Sequence, residues 1–269
     1  KLNSIRDDIN ELLDKKLHLT FLSLPSLGVI LFTILPLIFM IFIAFTNYDK
    51  NHQPPGNLFT WVGFENFRNI FGANPLLSQS FKGIFQWTII WAIFATFTNY
   101  FLGMILALMI NKSGIRLKKM WRTIFVVTIA VPQFVTLLLM SRLLDDKGAL
   151  NILLGYLGVG PIKFLTDAAI ARVTVIIVNV WVGVPYTMLI TSGILMNIPA
   201  ELYESAKIDG AGPVKAFTSI TLPYMLFVTT PYLITQFVAN LNNFNVIYLL
   251  SGGGPLSLDY YQAGKTDLL

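Results

Sequence analysis

Hydrophobic positions in this chain come in blocks much longer than a soluble fold uses. Apolar runs cover about residues 21–46, 83–110, 123–144, 169–195 and 224–250. Each exceeds the roughly 20 residues that a helix needs to cross a hydrocarbon core. The runs are too long for barrel strands, and backbone polar groups in lipid must be satisfied within the segment, so the spans are expected to be helices. The fold class is therefore all-α, a polytopic membrane helical bundle with five spans in residues 21–269. Pro25 and Pro36 are expected to kink the first span, and Pro132 lies inside the third. Residues 1–20 are polar, with Ile5, Ile9, Leu12, Leu13 and Leu17 spaced as in an amphipathic helix at the membrane surface or on a partner. An N-terminal extension of the first span fits them equally well. The aromatic piece Trp61–Phe67 fits an interfacial belt, and residues 145–168 form a glycine-containing loop too short to be a domain.

The polar pattern changes character once, at Pro199–Pro223. Leu202, Ala206 and Ile208 on one side, against Glu201, Glu204 and Lys207 on the other, predict a helix of two to three turns. Gly210, Gly212 and Pro213 break it, and a second short helical piece is expected to end at Pro223. Such an element between two spans suits docking better than chemistry.

Composition sharpens this picture in three ways. Charged residues make up 12% of the chain, half the roughly 25% of a soluble domain. There is no cysteine, which excludes disulfides, thiol catalysis and thiolate-held metals. The net charge is +5, but no basic stripe interleaves with aromatics, so nucleic acid is not an expected partner. The basic residues instead report orientation. Lys112, Arg116, Lys118, Lys119 and Arg122 crowd residues 111–122, which predicts that this loop, the N-terminus and Pro199–Pro223 face the cytoplasm. No cleavable signal peptide is expected, because the first apolar run is too long.

Polar residues within the spans point to a ligand. Gln236, Asn240 and Asn243 fall at i, i+4 and i+7 in the fifth span, hence on one helical face; Asn242 and Asn245 lie nearby. Asn179, Gly183 and Tyr186 repeat the spacing in the fourth span. Interhelical hydrogen bonds in membranes are worth only about 0.6–2 kcal/mol, so packing alone is a weak reason for so many amides. Facing stripes of amide, phenol and glycine would line a cavity suited to an uncharged, hydroxyl-rich solute such as a sugar. The competing reading makes some of the asparagines interhelical glue. No ionisable side chain lies deep in any span, which argues against an ion-driven carrier and an intramembrane hydrolase. Gly264-Lys265-Thr266 shares three residues with the end of a phosphate-binding loop, but Asp259 stands where that pattern needs glycine. His18 and His52 lack partners at metal-ligand spacing.

Pro199–Pro223 resembles the EAA loop of ATP-binding-cassette importer permeases. Glu204-Ser205-Ala206, then Gly210, then Ile220-Thr221-Leu222-Pro223 keep the family's spacing, with Ser205 the one departure. Asn240-Leu241-Asn242-Asn243-Phe244, the Gly-Gly-Gly-Pro turn and residues 263–269 are similar to maltose/maltodextrin-type permeases. The resemblance implies the type I importer membrane domain, with a sixth span beyond residue 269. It implies a bacterial plasma-membrane complex of this permease, a second and different permease, two cytoplasmic ATP-binding subunits and an extracellular sugar-binding protein. ATP and magnesium would be held by the ATPase partners, with no cofactor and no catalytic residue in this chain. Carried over, Glu204, Ser205, Ala206, Asp209 and Gly210 would couple to the ATPase, and Val182, Gly183, Tyr186, Gln236, Asn240 and Asn243 would contact an oligosaccharide. A channel or secondary carrier for neutral solutes, and a non-transporting membrane scaffold, are the alternatives.

Overall fold

A computed structural model describes residues 10, 17, 19, 21–52, 54–112 and 114–269. The amphipathic segment expected at residues 1–20 lies almost wholly outside them. The chain divides into two compact units, residues 1–78 and 79–269.

In the first unit, helix α1 (Phe21–Ile43) is apolar throughout and none of its residues is buried. Pro36 does not break it. One wide turn over Ile30–Ile34, closed by Leu35 N–H donating to the Ile30 carbonyl, precedes the proline and relieves the clash its ring would make with the preceding turn. Beyond α1 the aromatic piece folds back. Phe45 stacks on Trp61 with centroids 5.3 Å apart and meets Phe64 edge-on. Asn66 Nδ2 donates to the Ala44 and Thr46 carbonyls, which closes the loop ahead of the short helix α2 (Glu65–Arg68).

The second unit holds the core. Helix α3 (Pro75–Asn111) starts well before the expected Gly83. Asn74 Oδ1 accepts from Leu77 N–H and proline occupies the first helical position, where its missing N–H costs nothing. Polar residues 75–82 thus become the helix's first turns.

The third span is not a continuous helix. Helices α4 (Lys118–Ala130) and α5 (Gln133–Leu143) meet at 87°. Pro132 disfavours helical backbone at Val131, which is extended at φ −76°, ψ 125°. Four described helices are individually long and apolar enough to cross a membrane, and the bent pair makes a fifth if it counts as one span.

After α6 (Ala149–Tyr156), α7 (Ala168–Leu195) runs as expected, capped by Asp167, which accepts from Ala169 and Ile170 N–H. Helices α3 and α7 cross closely at Gly103, where an added Cβ would lie 2.7 Å from Thr187 Cβ and 2.9 Å from the Met188 nitrogen. Ala107, Ile110 and Met188 fill the core beside that crossing, and Trp91, Ala95, Val175 and Leu250 form a separate core cluster.

Helix α8 (Ala200–Ile208) leads to α9, which runs from Pro213 to Leu241. The expected stop at Pro223 is absent. A wide turn at Phe217–Thr221, with Leu222 N–H donating to the Phe217 carbonyl, carries the helix through the proline as in α1. The break comes instead at Asn242 and Asn243, before α10 (Phe244–Ser251). The fifth span therefore begins and ends earlier than its hydrophobicity predicts.

The tail packs on the bundle. Thr266 is fully buried and bonds Ser251 Oγ and the Gly254 carbonyl. Its own carbonyl accepts from Trp87 Nε1. Arg172 lies over the Trp87 ring and donates to the Lys265 carbonyl. An added Cβ at Gly264 would sit 2.1 Å from the Gly253 carbonyl oxygen. The Gly264-Lys265-Thr266 fragment is thus a packed turn, with no loop open to a phosphate.

Candidate functional site

Two cavities of about 360 and 500 Å³ lie beside the break that ends α9. The smaller is walled by Asn99 of α3, Asn179 of α7 and the amides around the α9–α10 break. The larger is walled by Thr128, Thr136, Trp181 and Tyr186. Gln133, Val182, Gly183 and Gln236 line both, so they form the neck between them. Among the described residues no Asp, Glu, Lys, Arg or His lines either cavity.

All six residues expected at the solute site reach this region. Val182, Gly183 and Gln236 stand at the neck, Tyr186 in the larger cavity, and Asn240 and Asn243 in the smaller. They do not form one helical stripe, because Asn243 has left the helix. It caps α10 by accepting from Val246 N–H and donates through Nδ2 to Asn240 Oδ1 at 3.0 Å. The break frees backbone groups that lipid could not satisfy; the Asn240 carbonyl finds Trp91 Nε1 at 3.0 Å. Asn240 is buried, and its Nδ2 donates to Thr96 Oγ1. Asn179 donates to the Ala95 carbonyl. These two asparagines therefore bind α3 as well as lining the wall, and the glue reading applies to them.

Two amides of the wall escaped the sequence reading. Gln133 heads α5 beyond the bend, where a continuous third span hid it. Asn99 Oδ1 is buried without a hydrogen-bond partner, and its amide fills the notch left by Gly183. A Cβ there would lie 2.4 Å from Asn99 Nδ2. The only signal for Asn99 was a lone amide in the middle of an apolar run.

The segment between α7 and α9 lies at the other end of the unit, beside the C-terminus of α3. Its helix ends in a left-handed cap: Gly210 sits at φ +75°, its N–H bonds the Lys207 carbonyl, and Ala211 N–H bonds the Ala206 carbonyl. No atom beyond its immediate neighbours lies within 4 Å of a Cβ built at Gly210, so backbone conformation alone selects glycine there. Tyr203 and Ala206, half-buried, face the chain, and Tyr203 Oη meets Thr221 Oγ1 at 2.9 Å. Leu202 and Ile208, expected on the packed side, are exposed, because α8 presents a different face inward. Glu204, Ser205 and Asp209 are exposed, and Glu204 makes no ion pair among the described residues. A largely apolar crevice of about 630 Å³ opens between Leu108, Tyr203, Val214 and Phe217.

At this same end the two helices preceding and following the basic loop are tied to α7. Arg122 donates to Asn111 Oδ1 and Ser192 Oγ, and Asn111 Nδ2 donates to Ser192 Oγ at 2.6 Å.

Residues 99–266 match the family model described as "Binding-protein-dependent transport system inner membrane component". The galactooligosaccharides transport system permease protein GanP of Bacillus subtilis (strain 168) is 41% identical over 91% of this chain and 59% of its own length. The maltodextrin transport system permease protein MdxF of the same organism is 40% identical over 92% of this chain and 58% of its own length. The maltose/maltodextrin transport system permease protein MalF of Escherichia coli (strain K12) is 38% identical over 83% of this chain and 43% of its own length. The chain thus spans about three fifths of the length of the first two relatives and less of the third. Among solved structures, a bacterial alginate ABC transporter in complex with an alginate pentasaccharide-bound periplasmic protein superposes with a TM-score of 0.66 at 22% identity. That match covers 94% of this chain and 79% of the other. The likeness establishes the shared fold.

Proposed function

The chain belongs to the family of binding-protein-dependent transport system inner membrane components, and on that premise we propose that it is the permease subunit of an ATP-driven importer for a neutral oligosaccharide. Its relatives are transport permeases for galactooligosaccharides and maltodextrins, and both sugar classes are uncharged. The observation that carries the reading is a cavity walled by amides, a phenol and an indole, without a charged group in its lining. Amides both donate to and accept from hydroxyls, and flat aromatic faces suit sugar rings.

The drive comes from outside the chain. Among the described residues no ionisable group lines the cavities to couple transport to an ion gradient. Helix α8 instead exposes Glu204 together with Leu202, Ile208 and the nearby Val214, a mixed face suited to an ATPase cleft. Glu204, Ser205, Ala206, Asp209 and Gly210 make up the contact and the turn behind it. In this reading α8 and the N-terminus lie in the cytoplasm. Two ATP-binding subunits hold ATP and magnesium, a second, different permease completes the pathway, and an external binding protein delivers the sugar.

The test is reconstitution of the assembled complex in proteoliposomes, with its binding protein and maltotriose or galactotriose. Saccharide-stimulated ATP hydrolysis with uptake is the expected result. Uptake that persists without the ATP-binding subunits overturns the reading in favour of a channel or secondary carrier.

A further inference from the structure

Three of the eight amides around the two cavities are spent within the protein. Asn240 bonds Asn243 and Thr96, Asn243 caps α10, and Asn179 reaches the Ala95 carbonyl. Of the other five, Asn99, Asn242 and Asn245 line the smaller cavity only, whereas Gln133 and Gln236 line both. Neither side chain has a hydrogen-bond partner among the described residues, and both stand at the neck shared by the two cavities. They arrive there from unrelated directions. Gln236 lies on the continuous helix α9, whereas Gln133 is the first residue of α5, set at the neck by the 87° break that Pro132 makes between α4 and α5.

Gln133 is exposed and Gln236 half-buried, so both carboxamides are open to the cavities with their donors and acceptors available. Two open carboxamides on one shared stretch of wall point to a ligand that supplies donors and acceptors together. Each carboxamide can accept from one hydroxyl while donating to another, which matches neighbouring hydroxyls on one sugar ring.

We propose that Gln133, carried to the neck by the broken helix, is a solute-binding residue that works with Gln236 to hold a hydroxyl-bearing ring as it passes between the two cavities. The assignment rests on the importer reading above and adds a residue from a third element to the solute site.

The experiment uses the whole importer in proteoliposomes with maltotriose as probe. Gln133→Met keeps the side chain's length and removes its hydrogen bonds. It should raise the maltotriose concentration for half-maximal ATP hydrolysis by about threefold to tenfold, the loss expected for one or two neutral hydrogen bonds. Because residues 1–269 contain no cysteine, Gln133→Cys supplies a single thiol within them, and the unsubstituted complex measures the background labelling. Its labelling by a methanethiosulfonate reagent should slow when maltotriose is present, a readout that a purely structural residue would not move. A half-saturating concentration that rises less than about threefold, or labelling that maltotriose does not slow, overturns the assignment. An unsubstituted complex that neither maltotriose nor galactotriose stimulates overturns the importer reading, and the assignment falls with it. A stimulated parent with an unaffected Gln133→Met variant overturns the assignment alone.

Discussion

Gly183→Ala places a methyl group where the Asn99 amide now sits. The added Cβ would lie 2.4 Å from Nδ2, 2.8 Å from Cγ and 3.0 Å from Oδ1, so the amide must swing by about 1 Å to reach ordinary contact. Overpacking of this kind costs about 1–3 kcal/mol. The alanine recovers about 1 kcal/mol through its better helix propensity. Asn99 has little to lose by itself, since its buried carbonyl has no partner. Removing an unsatisfied acceptor returns about 1–3 kcal/mol of desolvation penalty, against the small void left by truncation. The two substitutions should therefore couple strongly. By thermal unfolding of the purified complex, with about 2–4 °C per kcal/mol for a unit of this size, the net cost of up to about 2 kcal/mol should lower the Gly183→Ala midpoint by up to about 8 °C. Asn99→Ala should change it by less than about 2 °C, and the double variant should return close to the parent value. A double variant that shows the sum of the single effects would refute the idea that Gly183 is a notch for Asn99.

Three further outcomes are expected. Tyr203→Phe leaves the buried Thr221 hydroxyl without its partner, at a cost of about 1–2 kcal/mol. Adding Thr221→Val should recover most of that loss in thermal unfolding, and ATP hydrolysis in the single variant should proceed with less sugar moved per ATP. At Gly210, φ +75° should admit asparagine with little effect, whereas Gly210→Val should cost about 1–2 kcal/mol and weaken saccharide-stimulated ATP hydrolysis; equal behaviour of the two variants would refute the left-handed cap as the reason for glycine. Pro132→Ala restores an N–H and relaxes the restriction on Val131, so spin labels at positions 122 and 142 should move apart as α4 and α5 straighten; an unchanged distance distribution would show that packing, and not the proline, holds the bend.

Much of the fold was legible because membrane helices announce themselves by length and apolarity. The start of α7 was equally plain from the onset of its apolar run, and the turn at Gly210 from glycine itself, a local signal that needs no tertiary context. The misreadings share a cause. Pro223 and Pro36 were treated as breaks or kinks, yet a single wide turn in each helix absorbs the ring. Pro132, expected inside a span, stands instead at its break, with Val131 extended before it. Asn243 was expected to share a helical face with Gln236 and Asn240, but the helix ends before it, and the Trp91 indole satisfies the Asn240 carbonyl beside the break. Of the solute wall, the residues in spans four and five were visible as stripes. Gln133 and Asn99 were not, because one depends on a bend and the other on a notch in a neighbouring helix, and neither leaves a periodic trace.

Helix α9 runs without interruption from Pro213, just past the glycine turn, to Leu241, beside the amide wall. At 1.5 Å per residue, Gln236 rides about 35 Å from the root of that rod. A tilt of about 5° at the root would sweep the far end by roughly 3 Å, about the length of a hydrogen bond. The rod thus acts as an oar pivoting near Gly210, whose short stroke at the handle becomes a full blade-width of travel where a sugar would be held or let go.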